Sequence, residues 1–288
     1  MSNVRVAIVT DSTACIPPAV ASEYSIEVVP LNLIFAGRTF VDGLSASTEE
    51  FYQVLRTSRS PPTTAATSPG TFLEHILRAG ERAASVLCVT VSAQFTALYD
   101  SAVQAAALAR QECPELDVRV LDSRNATMAQ GFMVIEAARA ASGGADMDTV
   151  IARVEALMPR VGVLAMLDTL TYIARTGRVP GVLAWASSVL QVKPIVELRQ
   201  RDIRLVSRAR TRKRALERLL TIMEERARQG GPLHLCVHHT NTPQQALFLA
   251  SQAQERLRPV ELYVSELTQV MGVHTGPGFI AFAYYFEE

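Results

Sequence analysis

Residues 86–102, VLCVTVSAQFTALYDSA, decide the fold class. The stretch opens on six apolar or β-branched residues, Val86 to Val91, the pattern of a strand buried on both faces. Ser92, Ala93 and Gln94 follow, and an Ala-rich helical pattern then runs from Thr96 to Arg110. A strand that passes straight into a helix places small polar side chains at the carboxyl edge of a sheet. Open α/β sheets bind ligands at that edge, where free amides and a helix N-terminus face an anion.

Two neighbouring stretches end in the same way. Val4–Val9 runs into Thr10-Asp11-Ser12-Thr13, and Val118–Leu121 into Asp122-Ser123. Three such endings predict a polar floor along one edge of a parallel sheet, and strands alternating with helices predict a doubly wound unit over residues 1–158. Within it, Ile26–Phe35 reads as a strand, and Gly37 with Asp42-Gly43 as a hairpin or an excursion. Ser47 and Glu50 form a capping-box pattern ahead of a helix over Thr48–Arg56. The stretch from Thr57 to Pro69 reads as a loop, and Ser68-Pro69 starts the next helix. Helices over Ala126–Ala141 and Met147–Leu157 lead to a boundary near Pro159.

The second half mixes hairpins with crossovers. Strands are expected over Val161–Leu167, Gln191–Leu198, Ile203–Val206, Leu233–His238, Val260–Val264 and Phe279–Phe286. Helices are expected over Leu170–Arg175 (closed by Gly177), Thr211–Gln229 and Pro243–Leu257. This pattern predicts an α+β domain with a mixed sheet over residues 159–288.

Composition narrows the function. With 28 basic and 28 acidic residues the net charge is zero, so no global field draws the chain to nucleic acid or to an anionic membrane. Lys193 and Lys213 are the only lysines. No apolar run approaches the roughly 18 residues of a membrane span, and MSNVRVAIVTDS does not read as a signal peptide. The four cysteines, scattered with no CxxC, read as buried thiols of a reducing compartment. The expectation is a cytoplasmic protein with no stable membrane insertion.

The chemistry-bearing patterns are few. His238 and His239 point to opposite faces of a strand and do not share a metal easily, and no other histidine has ligand spacing. No P-loop or GxGxxG follows the first strand, and Ser92 lacks the glycines of a nucleophile elbow. His274-Thr275-Gly276-Pro277-Gly278 reads as a rigid turn whose backbone can approach a ligand, beside a histidine able to donate to an anion. Arg199 to Arg214 holds eight cations against Asp202, but no aromatics interleave for base stacking, so nucleic acid is not the expected partner. A stand-alone hydrolase or transferase using Ser92 and His274 is the competing functional class.

The motifs taken in order resemble the DegV family. They are IVTDST (8–13), VVPLNLIF (28–35), VDG (41–43), PTTAATSPGTF (62–72), VTVSAQFTALYDSA (89–102) and VLDS (120–123). ARTGRV (174–179), VKPIVEL (192–198), RTRKRA (210–215) and HTGPG (274–278) continue the likeness into the second half. The resemblance implies two α/β domains with one long-chain fatty acid enclosed between them. It also implies a non-catalytic role: a carrier that presents the acyl carboxylate to a separate ATP-binding fatty acid kinase subunit for acyl-phosphate formation, with no cofactor besides the lipid. Residue by residue, it implies carboxylate binding by Thr64, Ser92 and His274, and kinase docking by Arg178 and Arg210. The chain departs from the family at Ala93, where a second serine is expected, and in the loop TAATS, which lacks a serine and glutamine after Thr64. Thr64 and Ser92, with Thr63 and Thr96 near them in sequence, are left to supply the donors.

Overall fold

The computed structural model describes residues 5–35, 38–42, 48–58, 62–65, 67–179, 181 and 192–288. The chain forms two compact units, one of residues 1–32 and 65–160, the other of residues 33–64 and 161–288. The expected division after residue 158 had placed 33–64 with the first half; that segment groups with the second. Gly37, Gly43 and Ser47, which carried the hairpin and capping-box readings, lie outside the described residues, as does Gln191.

The first unit is built on a four-stranded parallel sheet. Its strands are β1 (Val6–Asp11), β2 (Glu27–Val29), β6 (Ser85–Thr90) and β7 (Asp117–Asp122), in the order β2-β1-β6-β7. The single strand expected over 26–35 breaks at Pro30, and its second piece, β3 (Asn32–Phe35), belongs to another sheet. Proline has no N–H for the ladder, so the strand ends there. The helices are α1 (Pro18–Glu23), α3 (Pro69–Gly80), α4 (Leu98–Glu112), α5 (Met128–Ser142) and α6 (Met147–Leu157). Ser68 caps α3 by accepting from Thr71 N–H, as its sequence pattern predicts. Helix α4 starts at Leu98, two residues later than expected, because Ser92 to Phe95 close a turn first (Phe95 N–H to Ser92 O, 3.0 Å). Helix α5 is buried without a break from Met128 to Ala138, and its two polar residues in that stretch, Gln130 and Glu136, are both hydrogen-bonded by side chains.

The second unit holds a six-stranded mixed sheet of β8 (Gly162–Met166), β9 (Lys193–Arg199), β10 (Asp202–Ala209), β11 (Leu233–His239), β12 (Glu261–Glu266) and β13 (Ile280–Phe286). The order is β10-β9-β8-β13-β11-β12, with only β11 and β12 parallel. Gln200 and Arg201 turn the β9–β10 hairpin with φ of 46° and 71°, the two positive values a type I′ turn requires. Helices α8 (Arg212–Ala227) and α9 (Pro243–Leu257) lay Leu219, Met223 and Leu249 against Leu164, Ile195, Leu235 and Phe282 of the sheet. Among the described residues the unit also holds two short helices, α7 (Thr171–Thr176) and α10 (Gln269–Thr275), and the helix α2 (Thr48–Thr57).

A small three-stranded sheet was not expected. Its order is β4 (Arg38–Val41), β3, β5 (Thr63–Ala65), and β5 lies inside the stretch read as a loop. Three residues are too short to show periodicity, and the prolines around them read as breakers.

Candidate functional site

The three polar strand endings of the first unit do meet at one sheet edge. Val91 N–H donates to Asp11 Oδ2 (2.8 Å), Ala93 N–H to Asp122 Oδ1 (3.3 Å), Ser92 N–H to Asn125 O (2.9 Å) and Ser123 N–H to Thr90 O (3.0 Å). Asp11 is the hub. It is fully buried and also accepts from Thr13 N–H (3.0 Å), the Thr13 hydroxyl and Gln130 Nε2 (3.1 Å). Burial pushes its carboxyl up, and the bonds from Thr13, Val91 and Gln130 pull the other way. Gln130 also donates to Thr10 Oγ1 (3.0 Å), so one side chain from α5 ties β1 to the floor. Ser92 is fully buried, and its Oγ accepts from Gln94 N–H (3.3 Å). That leaves the Ser92 hydroxyl proton uncommitted among the described residues.

In the second unit β5 and α10 bring two of the expected site residues together. Thr64 Oγ1 lies 3.2 Å from His274 Nε2. His274 was expected beside the turn at 276–278, and there it sits, in the last turn of α10, which two side chains from afar hold in place. Asp42 Oδ1 accepts from Val270 N–H (3.1 Å) in the first turn, and Gly272 leaves room for the Tyr52 ring. Past the helix, Gly276 has φ +74°, and a Cβ there would strike the Tyr172 ring. Tyr52 and Tyr172 carried no sequence signal, and Asp42 only its place in the VDG motif, because each acts through a partner some 100 to 230 positions away.

Burial, with the Arg178 cation second, holds the His274 imidazole down at about 4, so it is neutral near pH 7. Its Nδ1 is buried with no partner among the described residues. An orphaned buried N–H is rarer than an orphaned lone pair, which assigns the ring proton to Nε2. Nε2 then donates to Thr64 Oγ1 and leaves the threonine hydroxyl proton for a third group. Arg178 is exposed and follows the left-handed Gly177 (φ +65°) that ends α7. A hydroxyl donor, a neutral imidazole and a nearby cation suit an anionic oxygen.

The same two elements border an apolar cavity of about 200 Å³. Leu33 and Phe35 of β3, Phe40 of β4, Phe51 and Val54 of α2, and Pro62 line it, with Glu50 and Gln269 at its margin. Pro62 immediately precedes β5 and Gln269 opens α10, so the margin of the cavity reaches the start of each element that carries Thr64 or His274.

The structure thus pairs Thr64 with His274 and places the Arg178 charge close enough to act on the ring. Ser92 belongs to the other unit with the partners given above, and Arg210 is an exposed residue just before Thr211, the N-cap of α8. Among the described residues no group of three or more His, Cys, Asp or Glu side chains could hold a metal, and no helix is long and apolar enough to cross a membrane.

Comparison with known proteins agrees across the whole length. The model of the family described as "Uncharacterised protein, DegV family" matches residues 5–287. A DegV domain-containing protein of Streptomyces coelicolor is 35% identical over 278 residues, 96% of each chain. Among solved structures, a DegV family protein from Thermus thermophilus described by its fatty acid binding is 29% identical. It superposes with a TM-score of 0.90 over 98% of this chain and 100% of its own. DegV of Bacillus subtilis, described as a fatty acid binding protein, is 28% identical, with a TM-score of 0.86 over 99% and 100%. The chain belongs to the DegV family.

Proposed function

We propose that this protein binds a long-chain fatty acid, with the Thr64 hydroxyl, oriented by His274, on the carboxylate and the acyl chain against the apolar wall of β3, β4 and α2. The observation that carries the reading is the pairing of a neutral His274 with Thr64 (3.2 Å), on elements that begin beside Pro62 and at Gln269, at the margin of the cavity. Each methylene removed from water contributes about 0.8 kcal/mol, so the chain supplies affinity and the polar pair fixes which end lies where. The family resemblance assigns Ser92 a carboxylate-binding role as well, and its uncommitted hydroxyl proton supports that assignment. Fatty acid binding by the Thermus thermophilus and Bacillus subtilis proteins supports the same assignment. Protein purified under native conditions is expected to carry about one long-chain fatty acid per chain by native mass spectrometry. Delipidated protein that takes up no fatty acid refutes the proposal.

The finer reading is that the bound acid is presented to a separate ATP-dependent kinase, with Arg178 and Arg210 as docking cations. Both are exposed, and Arg178 is near enough to His274 to serve the head group and a partner alike. Arg178→Glu or Arg210→Glu should then slow ATP-dependent phosphorylation of the bound acid while Arg210→Glu leaves lipid loading intact. Equal loss of loading in both variants assigns them to the pocket or the fold.

A further inference from the structure

The RTRKRA stretch divides in the structure. Arg210, Lys213 and Arg214 are exposed and Thr211 caps α8, but Arg212 turns inward. Its Nη1 donates to the Gly278 carbonyl (2.5 Å) and lies 3.4 Å from Asp168 Oδ1, and its Nε donates to Gln245 Oε1 (2.5 Å). Asp168 is held in turn by Lys193, whose Nζ donates to its Oδ1 (2.7 Å) and its carbonyl (3.0 Å). Local helix physics does not ask for a cation here, since the first turn of a helix disfavours positive charge. The contacts across to residues 168 and 278 are what account for it.

Those contacts fasten one side of the turn at residues 276–278, and Thr240 fastens the other. Its hydroxyl donates to Gly276 O (2.7 Å) and accepts from Phe279 N–H (3.0 Å), and its carbonyl accepts from Gly278 N–H (3.1 Å). The turn has no slack: Gly278 has φ +79°, and a Cβ there would come within 3.3 Å of both Arg212 Nη1 and Asp168 Cβ. The chain entering this turn is the end of α10 that carries His274.

We propose that Arg212 is a positioning residue for His274: by holding the Gly278 carbonyl it fixes the turn that ends α10, and with it the approach of His274 Nε2 to Thr64. Arginine is required because its planar fork reaches Gly278, Asp168 and Gln245 at once, which a single ammonium does not. The inference rests on the reading of Thr64 and His274 as the head-group site.

The test is Arg212→Met, which keeps the aliphatic stem and the helix propensity, with Arg212→Lys as the milder variant should the first fail to fold. Two readouts are taken: displacement of a fluorescent long-chain fatty acid, and NMR titration of the imidazoles of His274 and His238. His238 is fully buried in β11, with Nδ1 3.1 Å from Ser265 O, and serves as the internal control. In Arg212→Met the His274 midpoint should move from about 4 toward the solution value, while His238 stays at about 4. Fatty acid affinity should fall roughly tenfold, the low end for one charge-assisted hydrogen bond. Arg212→Lys should fall between. An unmoved His274 in both variants overturns the proposal, and so does a joint shift of His274 and His238, which marks general loosening. A selective His274 shift in a protein whose wild type binds no fatty acid upholds the positioning role and refutes the lipid reading instead.

Discussion

Thr64→Val removes one hydroxyl and keeps the β-branched shape that suits β5. Two effects follow from the geometry. The hydroxyl is the partner of His274 Nε2, and Nδ1 of the same ring already has none among the described residues, so the variant buries an imidazole with neither nitrogen bonded. Leaving such a group unsatisfied costs about 1–3 kcal/mol. In a unit of this size each kcal/mol moves the melting temperature by about 2–4 °C, so a fall of roughly 2–12 °C is expected for delipidated protein. The second effect is on the ligand. Loss of a charge-assisted bond to a carboxylate costs about 1.5–3 kcal/mol, or roughly ten- to a hundredfold in affinity. Thr64→Ser keeps the hydroxyl and should stay near wild type in both measurements. The assays are thermal unfolding without lipid and titration with a fluorescent fatty acid. Wild-type behaviour of Thr64→Val, or equal losses in Thr64→Val and Thr64→Ser, would refute the reasoning.

Stability should fall on the acid side. His274 and His238 are held down at about 4 mainly by burial, against about 6.5 unfolded, so the unfolded chain binds protons that the folded one refuses. Loss therefore begins as pH drops below about 6.5, reaches roughly 2 kcal/mol for each histidine by pH 5, and levels off below about 4; urea titrations at pH 7.5 and 5 measure it. His234, raised by its bonds to Glu261 and Glu287 against desolvation, has the opposite sign: its contribution is present at low pH and fades as pH rises through its folded value. Gly276→Ala combines left-handed strain of about 1–2 kcal/mol with a collision against Tyr172, and should lower both melting temperature and fatty acid affinity. Ala93→Ser adds a donor at an exposed position beside Ser92 and should tighten fatty acid binding up to about tenfold; an unchanged affinity would show that this position does not face the head group.

Much of this was legible in the sequence where one physical cause dominates locally. The strand at 85–90, the cap at Ser68, the paired strands β9 and β10 and the helix from Pro243 to Leu257 all follow from periodicity and capping chemistry over a few residues. The parts that escaped depend on distant partners. Nothing near Asp42 announces that it accepts from Val270, and β5 is a strand only because β3 lies beside it. Helix α10 carried no expectation of its own: it is seven residues long with Gly272 in its middle, a glycine that makes room for Tyr52. The pairing of Thr64 with His274 was reached through family motifs, since no local pattern links positions 210 apart.

The grouping of residues 33–64 with residues 161–288 bears on how the chain is made. Strands β3 to β5 and helix α2 leave the ribosome early, yet their partners in α10 come last. At about 5–20 residues per second, Thr64 waits roughly 10–40 s for His274 to be synthesised. During that interval Leu33, Phe35, Phe40 and Phe51, the wall of the cavity, have no finished unit to join. A nascent chain that far along offers an exposed apolar hairpin and helix to whatever is nearby, so trigger-type holdases and early proteolysis should act on this segment above all. It also follows that no cut of the chain at a single point frees the second unit whole.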